Sequence, residues 1–243
     1  MQNLYEPAIH FHGVDYSIGD IHILKKITGS FPKGKITTLV GPSGAGKTTL
    51  LKLCNGLLSP TSGTIFIDNK PISSYEPTKL RRHVGIALQN APMIKGTVLQ
   101  NLALPLELQG KQLTEQQAIS ILEDVGLDEQ FLQQKTADLS GGQRQKVSIA
   151  RTLINRSNIL LLDEITSALD RTSLREIEEL IVKVNREFGV TIIWITHNLE
   201  QALSIGDYTW VLREGQVVES GDSDLLQSST NEFVKRFVQG EVE

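Results

Sequence analysis

Eight residues limit the folds open to this chain more than any other stretch: Gly41-Pro42-Ser43-Gly44-Ala45-Gly46-Lys47-Thr48. They read G-x-x-x-x-G-K-T, the spacing of a phosphate-binding loop. The apolar run Ile36-Thr37-Thr38-Leu39-Val40 before it reads as a buried strand. Thr48 to Asn55 reads as a helix that Gly56 stops. Glycines at 41, 44 and 46 let the backbone turn its N–H groups inward, and a helix N-terminus follows. The two together make an anion site. Lys47 is placed to reach the β- and γ-phosphates of a nucleotide, and the Thr48 hydroxyl to sit on Mg²⁺.

Around this loop the pattern is mixed. Short strand-like runs precede it, at Ala8 to Phe11 and Ile21 to Leu24, with turns at Ser17 to Asp20 and Pro32 to Gly34. Ile65 to Asp68 and His83 to Leu88 are further strand candidates. Residues 90–138 are rich in Leu and Gln and read as a helical insertion. Within them Thr114-Glu115-Gln116-Gln117 has capping-box spacing, and Ala118, Ile121, Leu122 and Val125 follow at helical period before Gly126. Gln143 to Ile154 reads as a helix, with Val147, Ala150 and Ile154 on one face. Ile159 to Leu162 and Val190 to Ile195 read as buried strands. Between them Ser173-Leu174-Arg175-Glu176 has capping-box spacing. It is expected to open a helix with Leu174, Ile177, Leu180, Ile181, Val184 and Phe188 inward, ended by Gly189. Tyr208 to Leu212 and Val217-Val218 form a hairpin, and residues 222–243 read as a helical tail. Strands alternating with helices imply a mainly parallel sheet covered on both faces. Ligands at such sheets bind beyond the C-terminal strand ends, where the loop, Asp163 and His197 all fall.

The chain's 243 residues are 40% hydrophobic, enough for one sizeable core, and are expected to form a single domain spanning 1–243. A net charge of −4 argues against nucleic acid as the main partner. The one cysteine, Cys54, excludes an intrachain disulfide and reads as a packing residue. Neither a signal peptide nor an apolar run long enough to span a bilayer is evident, so the expected location is cytoplasmic.

Two further motifs carry chemistry. Asp163 and Glu164 end the run Ile159-Leu160-Leu161-Leu162. Asp163 is suited to hold Mg²⁺, directly or through water. Glu164 is suited to accept a proton from an attacking water. Leu139-Ser140-Gly141-Gly142-Gln143 offers an N-cap and open backbone N–H groups, a second anion site at a helix start. One nucleotide has one γ-phosphate, so a second reader of it implies a second copy of the chain.

Together these motifs resemble the ATP-binding cassette (ABC) ATPases, over essentially the whole chain. The resemblance implies an α/β phosphate-loop NTPase core with a mainly parallel sheet, an N-terminal antiparallel β subdomain and an inserted α-helical subdomain. It implies ATP and Mg²⁺ as ligands. Gly41, Pro42, Ser43, Gly44, Ala45, Gly46, Lys47, Thr48 and Thr49 would hold the nucleotide, and Tyr16 would stack on adenine. Ser140, Gly141, Gly142 and Gln143, with the Asp170 loop (Ser167-Ala168-Leu169-Asp170), would reach ATP on the partner copy. Glu164, the switch histidine His197 and Gln89 would serve hydrolysis, while Thr48, Gln89 and Asp163 would attend the metal. The implied partners are a second copy and an integral membrane permease, with the chain peripheral on the inner face of the membrane. The permease is expected in a groove along Gln89 to Leu108 that includes Met93 and Ile94. Many family members have Pro after the catalytic Glu. Ile165 stands there in this chain, a variant that looks like a small bacterial group tied to iron export and named in places as phosphate importers. Two other readings fit the motifs less well. A soluble ABC ATPase acting on DNA or ribosomes usually carries coiled coils, zinc modules or a second cassette. A non-hydrolysing ATP-binding regulator has no need of both Glu164 and His197.

Overall fold

The structure is a computed structural model that describes residues 5–242. The two ends of the expected 1–243 domain, including the last residue of the tail, lie outside the described residues. Two long strands open the chain, β1 (Pro7–Ile18) and β2 (Ile21–Pro32). They run past the short apolar segments that announce them because charged and polar residues alternate outward along both. β3 (Ile36–Val40) leads through the glycine loop into α1 (Lys47–Cys54). β4 (Ser62–Ile67) and β5 (Lys70–Pro71) join β1 and β2 in an antiparallel sheet of order β2-β1-β4-β5.

α2 (Pro77–His83) and β6 (Val84–Leu88) follow. The 90–138 stretch holds α3 (Val98–Glu107) and α4 (Glu115–Asp124), each opened by a capping box, Thr97 with Gln100 and Thr114 with Gln117. The core then resumes with α5 (Gly141–Leu153), β7 (Ile159–Asp163), α6 (Arg171–Phe188), β8 (Thr191–Ile195) and α7 (Leu199–Ile205). β9 (Tyr208–Arg213) and β10 (Gln216–Asp222) form the hairpin, and α8 (Leu225–Ser228) and α9 (Glu232–Val238) end the chain. The second sheet has the order β10-β9-β3-β8-β7-β6, parallel from β9 to β6 with β10 antiparallel at the edge.

The central strands are apolar on both faces, as parallel strands under two layers must be. Ile159 and Leu161 of β7 face a core shared with the antiparallel sheet, while Leu160 and Leu162 face the helical side. β8 divides in the same way, with Ile193 and Ile195 on the first side and Ile192 and Trp194 on the second. Phe11, Phe31 and Trp210 close the first core, the Phe31 and Trp210 rings 4.6 Å apart. Cys54 is fully buried there, and burial pushes its thiol pKa far up, which fits a packing role.

Two expectations about α6 are corrected. Its N-cap is Asp170, whose carboxylate accepts from the N–H groups of Thr172 and Ser173, so Ser173 lies inside the first turn. Phe188 is half exposed at the last turn, because Gly189 ends the helix in the left-handed conformation before that face meets the core. The expected groove is also redrawn. Leu102 is buried and Met93 and Leu99 pack on the helical-side core, while Ile94 and Leu108, at 41% and 76% exposure, stay open.

Candidate functional site

The parallel strands β3, β8, β7 and β6 all end at one edge of the sheet, and the chemistry-bearing residues gather there. After Val40 the chain passes directly over β9. A side chain at Gly41 would overlap the carbonyl of Leu212, so this position admits only hydrogen. Backbone bonds close the loop, Ala45 N–H to Pro42 O at 3.2 Å and Gly215 N–H to Ala45 O at 3.2 Å. Lys47 is 5% exposed, and its Nζ donates to the carbonyls of Gly41 (2.7 Å) and Pro42 (2.8 Å). One of its three donors remains for a ligand. Burial draws its pKa down, and the carboxylates of Glu164 and Asp163 oppose that.

The Thr48 hydroxyl donates to Asp163 Oδ1 at 3.1 Å. Burial raises the Asp163 pKa, with the Thr48 bond working against it. These are two adjacent hard oxygen donors. Among the described residues no group of three or more His, Cys, Asp or Glu is placed to hold a metal alone. That donor set fits Mg²⁺, which binds through one or two protein oxygens and takes the rest from phosphate and water. Glu164 follows in a left-handed conformation, φ 51, anchored by its N–H to Ile195 O at 3.1 Å. The turn aims its carboxylate at His197, with Nε2 2.6 Å from Oε1. Gln89 leaves the end of β6 and donates from Nε2 to Ser167 Oγ at 2.9 Å, and Ser167 Oγ donates to the Glu164 carbonyl at 2.9 Å.

Ser140 and Gln143 lie at the start of α5. Ser140 Oγ accepts from Gln143 N–H, and Gln143 Oε1 accepts from Ser140 N–H, a reciprocal capping box at the start of α5. Gly142 is glycine for a packing reason: a Cβ there would lie 2.9 Å from Ser173 Cβ. Asp170, on the same side, spends its carboxylate capping α6. Bonds from the Ser173 N–H and hydroxyl, and from the Thr172 N–H, hold its pKa below the usual range. No hydrogen bond among the described residues joins Ser140–Gln143 to the phosphate loop. Tyr16 is partly buried and pairs in register with Leu24, whose side chain packs where a Gly46 Cβ would be, which sets it beside the loop.

Residues 24–167 match the family model ABC_tran, described as ABC transporter. The chain belongs to the ABC transporter family. It is an ABC ATPase, and the matched span holds the phosphate loop, Gln89, Ser140 to Gln143, Asp163 and Glu164. The provisionally named ABC transporter ATP-binding protein YjkB of Bacillus subtilis (strain 168) is 43% identical over 96% of this chain and 95% of its own. The methionine import ATP-binding protein MetN of Corynebacterium jeikeium (strain K411) is 43% identical over 83% of this chain, which spans 56% of that protein. Among solved structures, the dimeric ATP-binding cassette MJ0796, in a post-hydrolysis state bound to ADP and Pi, superposes with TM-score 0.78 at 32% identity. The match covers 88% of this chain and 98% of that one.

One buried side chain beside Gln89 carries no motif signal. Gln145 is 3% exposed and donates from Nε2 to the Gln89 carbonyl at 2.6 Å. A polar residue five positions past the N-cap Ser140 reads as solvent-facing, so nothing in its spacing marks it. The Gln143 half of the capping box was legible, since Ser140-x-x-Gln143 has that spacing.

Proposed function

We propose that this chain is the ATP-hydrolysing subunit of a transporter, acting as a pair of copies closed head-to-tail on two ATP molecules. The observation that carries the reading is the placement of Glu164 and His197 beside Lys47 and the Thr48–Asp163 pair. Lys47 and the loop N–H groups from Gly41 to Thr49 hold the phosphates, and Tyr16 stacks on the adenine. Mg²⁺, once bound, would supply positive charge to the phosphates. Thr48, Asp163 and Gln89 are the residues that meet it. Glu164 takes the proton of the attacking water, and His197 orients Glu164. Ser140, Gly141, Gly142 and Gln143, with the Asp170 loop, complete the site of the other copy. Two observations support that sharing: Ser140 to Gln143 make no hydrogen bond to their own phosphate loop among the described residues, and MJ0796 is dimeric.

No helix among the described residues is long and apolar enough to cross a membrane. In this reading the pore is supplied by a permease. We place this subunit on the cytoplasmic face. The permease docks in a groove of about 540 Å³ whose walls include Ile86, Leu104, Pro105 and Leu108, with Arg81 and Arg151 at the polar side. Ile165 is buried in the helical-side core, so it bears on cargo only through the family likeness. Neither relative described above bears an iron or phosphate name. The likeness to a methionine import protein supports uptake as the direction to test first.

Phosphate release by the purified chain, measured with and without Mg²⁺ against Lys47→Ala, tests the assignment. Release that needs Mg²⁺ and vanishes in the variant is expected. Equal rates in both proteins would overturn it.

A further inference from the structure

We propose that Gln145 is a positioning residue, one that ties the metal-reading Gln89 to the helix presenting Ser140 and Gly142 to the second copy. The inference rests on the role given to Gln89 above. Gln145 lies on α5 and donates from Nε2 to two carbonyls, Gln89 O at 2.6 Å and Leu88 O at 3.4 Å. Carbonyls only accept, so the end of the amide that faces them is the NH₂. The other end, Oε1, is buried without a hydrogen-bond partner. A side chain kept only to fill space would be apolar here, because a buried acceptor with no donor costs stability that an apolar group of the same shape does not. What the glutamine alone supplies is the donor.

The carbonyls it holds belong to a strained turn. Ala91 is buried at φ 40, and its N–H donates to Leu88 O at 3.0 Å. A non-glycine residue stays at positive φ only where its surroundings enforce it. Beyond the turn the bonds continue, from Gln89 Nε2 to Ser167 Oγ and from Ser167 Oγ to Glu164 O. One series of hydrogen bonds therefore runs from the first turns of α5 to the backbone of Glu164. A shift of α5 as the second copy closes carries Gln89 with it, so the metal requirement of one site depends on the helix that serves the other.

The test is phosphate release by the full chain against Mg²⁺ concentration at saturating ATP, with Tm measured alongside. Gln145→Met keeps the length and bulk without the donor, and Gln145→Leu guards against a single badly packing side chain. In both, half-saturating Mg²⁺ is expected to rise about tenfold, the size of effect that loss of an outer-shell partner has on metal affinity. Tm is expected to change little, because the bond lost to the Gln89 carbonyl is offset by removal of the unpaired Oε1. Gln89→Ala is expected to raise the Mg²⁺ requirement by itself, and adding Gln145→Met to it is expected to change nothing more. A wild-type Mg²⁺ curve in both Gln145 variants, an additive loss in the double variant, or losses that follow a lowered Tm would each overturn the proposal. A wild-type curve in Gln89→Ala would show instead that the role of Gln89 is wrong, and the inference falls with it.

Discussion

His197 Nε2 and Glu164 Oε1 stand 2.6 Å apart at the ends of neighbouring parallel strands, β8 and β7. A carboxylate accepts, so the imidazole proton sits on Nε2 and the second carboxylate oxygen stays free for water. The two side chains act as one unit. Glu164→Gln is expected to keep ATP binding and lose at least ~100-fold in turnover, the size of a general-base contribution. His197→Ala, which removes only orientation, is expected to lose less. The double variant is expected to be no slower than Glu164→Gln, since groups acting as a unit are non-additive. Single-turnover hydrolysis measures all three, and additive losses would separate the pair. Glu164→Gln is also expected to collect as an ATP-bound dimer on size exclusion.

Asp163 sets function against stability. Burial raises its pKa in the folded chain, so the ionised form present at pH 7 is the disfavoured one. The sign follows from linkage: a raised folded pKa stabilises below the unfolded value, and that stability is lost as pH rises through the folded value. Asp163→Asn removes the charge and keeps an acceptor for Thr48. Without nucleotide it is expected to melt above wild type at pH 7, with the gain shrinking as pH falls through the raised folded value and gone below the ordinary aspartate range. Turnover with Mg-ATP is expected to drop by about 100-fold or more, as for loss of a metal ligand. A lower Tm at pH 7 would contradict the burial argument.

Much of this architecture was legible because it depends on short-range physics. β3, β7 and β8 are continuous apolar runs, and such runs fit only a strand covered on both faces. The glycine loop was legible because Gly41 and its neighbours answer to backbone geometry. Reading failed where two residues competed for one job. Asp170 and Ser173 are both good caps, and in the fold it is Asp170 whose carboxylate takes the Thr172 and Ser173 N–H groups. It failed again where a polar side chain turned inward. Gln145 looks like any helical glutamine until the fold brings the Gln89 carbonyl, 56 residues away, against it.

The permease groove gives a prediction that spares the chemistry. Leu108 is exposed and outside the ATP site, so Leu108→Glu is expected to change stability by no more than about 0.5 kcal/mol, the usual range for surface changes. Phosphate release by the isolated subunit is expected to be unchanged. Placed in a groove built for apolar contact, the charge is expected to abolish co-purification with the permease and transport. Met93→Glu is expected to differ, because Met93 packs on the core and its loss lowers stability first. Normal transport by Leu108→Glu would move the docking site elsewhere.

The sharing of sites between copies has its own test in Ser140. Ser140→Arg removes the N-cap of α5 and fills the space in front of it. Cap loss alone costs about 1 kcal/mol, so Ser140→Ala is the control for stability. The alanine variant is expected to melt slightly lower and keep most of its turnover, while the arginine variant is expected to bind ATP and not hydrolyse it. Lys47→Ala fails for the opposite reason: its phosphate loop is broken and its Ser140 is sound. In a mixed pair, the loop of the Ser140→Arg copy faces the intact helix start of the Lys47→Ala copy, and that one site is whole. Neither variant alone has a whole site. Equal amounts pairing at random are expected to recover up to about a quarter of wild-type turnover, because half of the pairs are mixed and each has one site of two. Two tagged forms co-purifying on either tag would prove that the copies mix. Mixing without recovery would mean that each chain hydrolyses ATP with its own residues, and the head-to-tail pair would have to be abandoned.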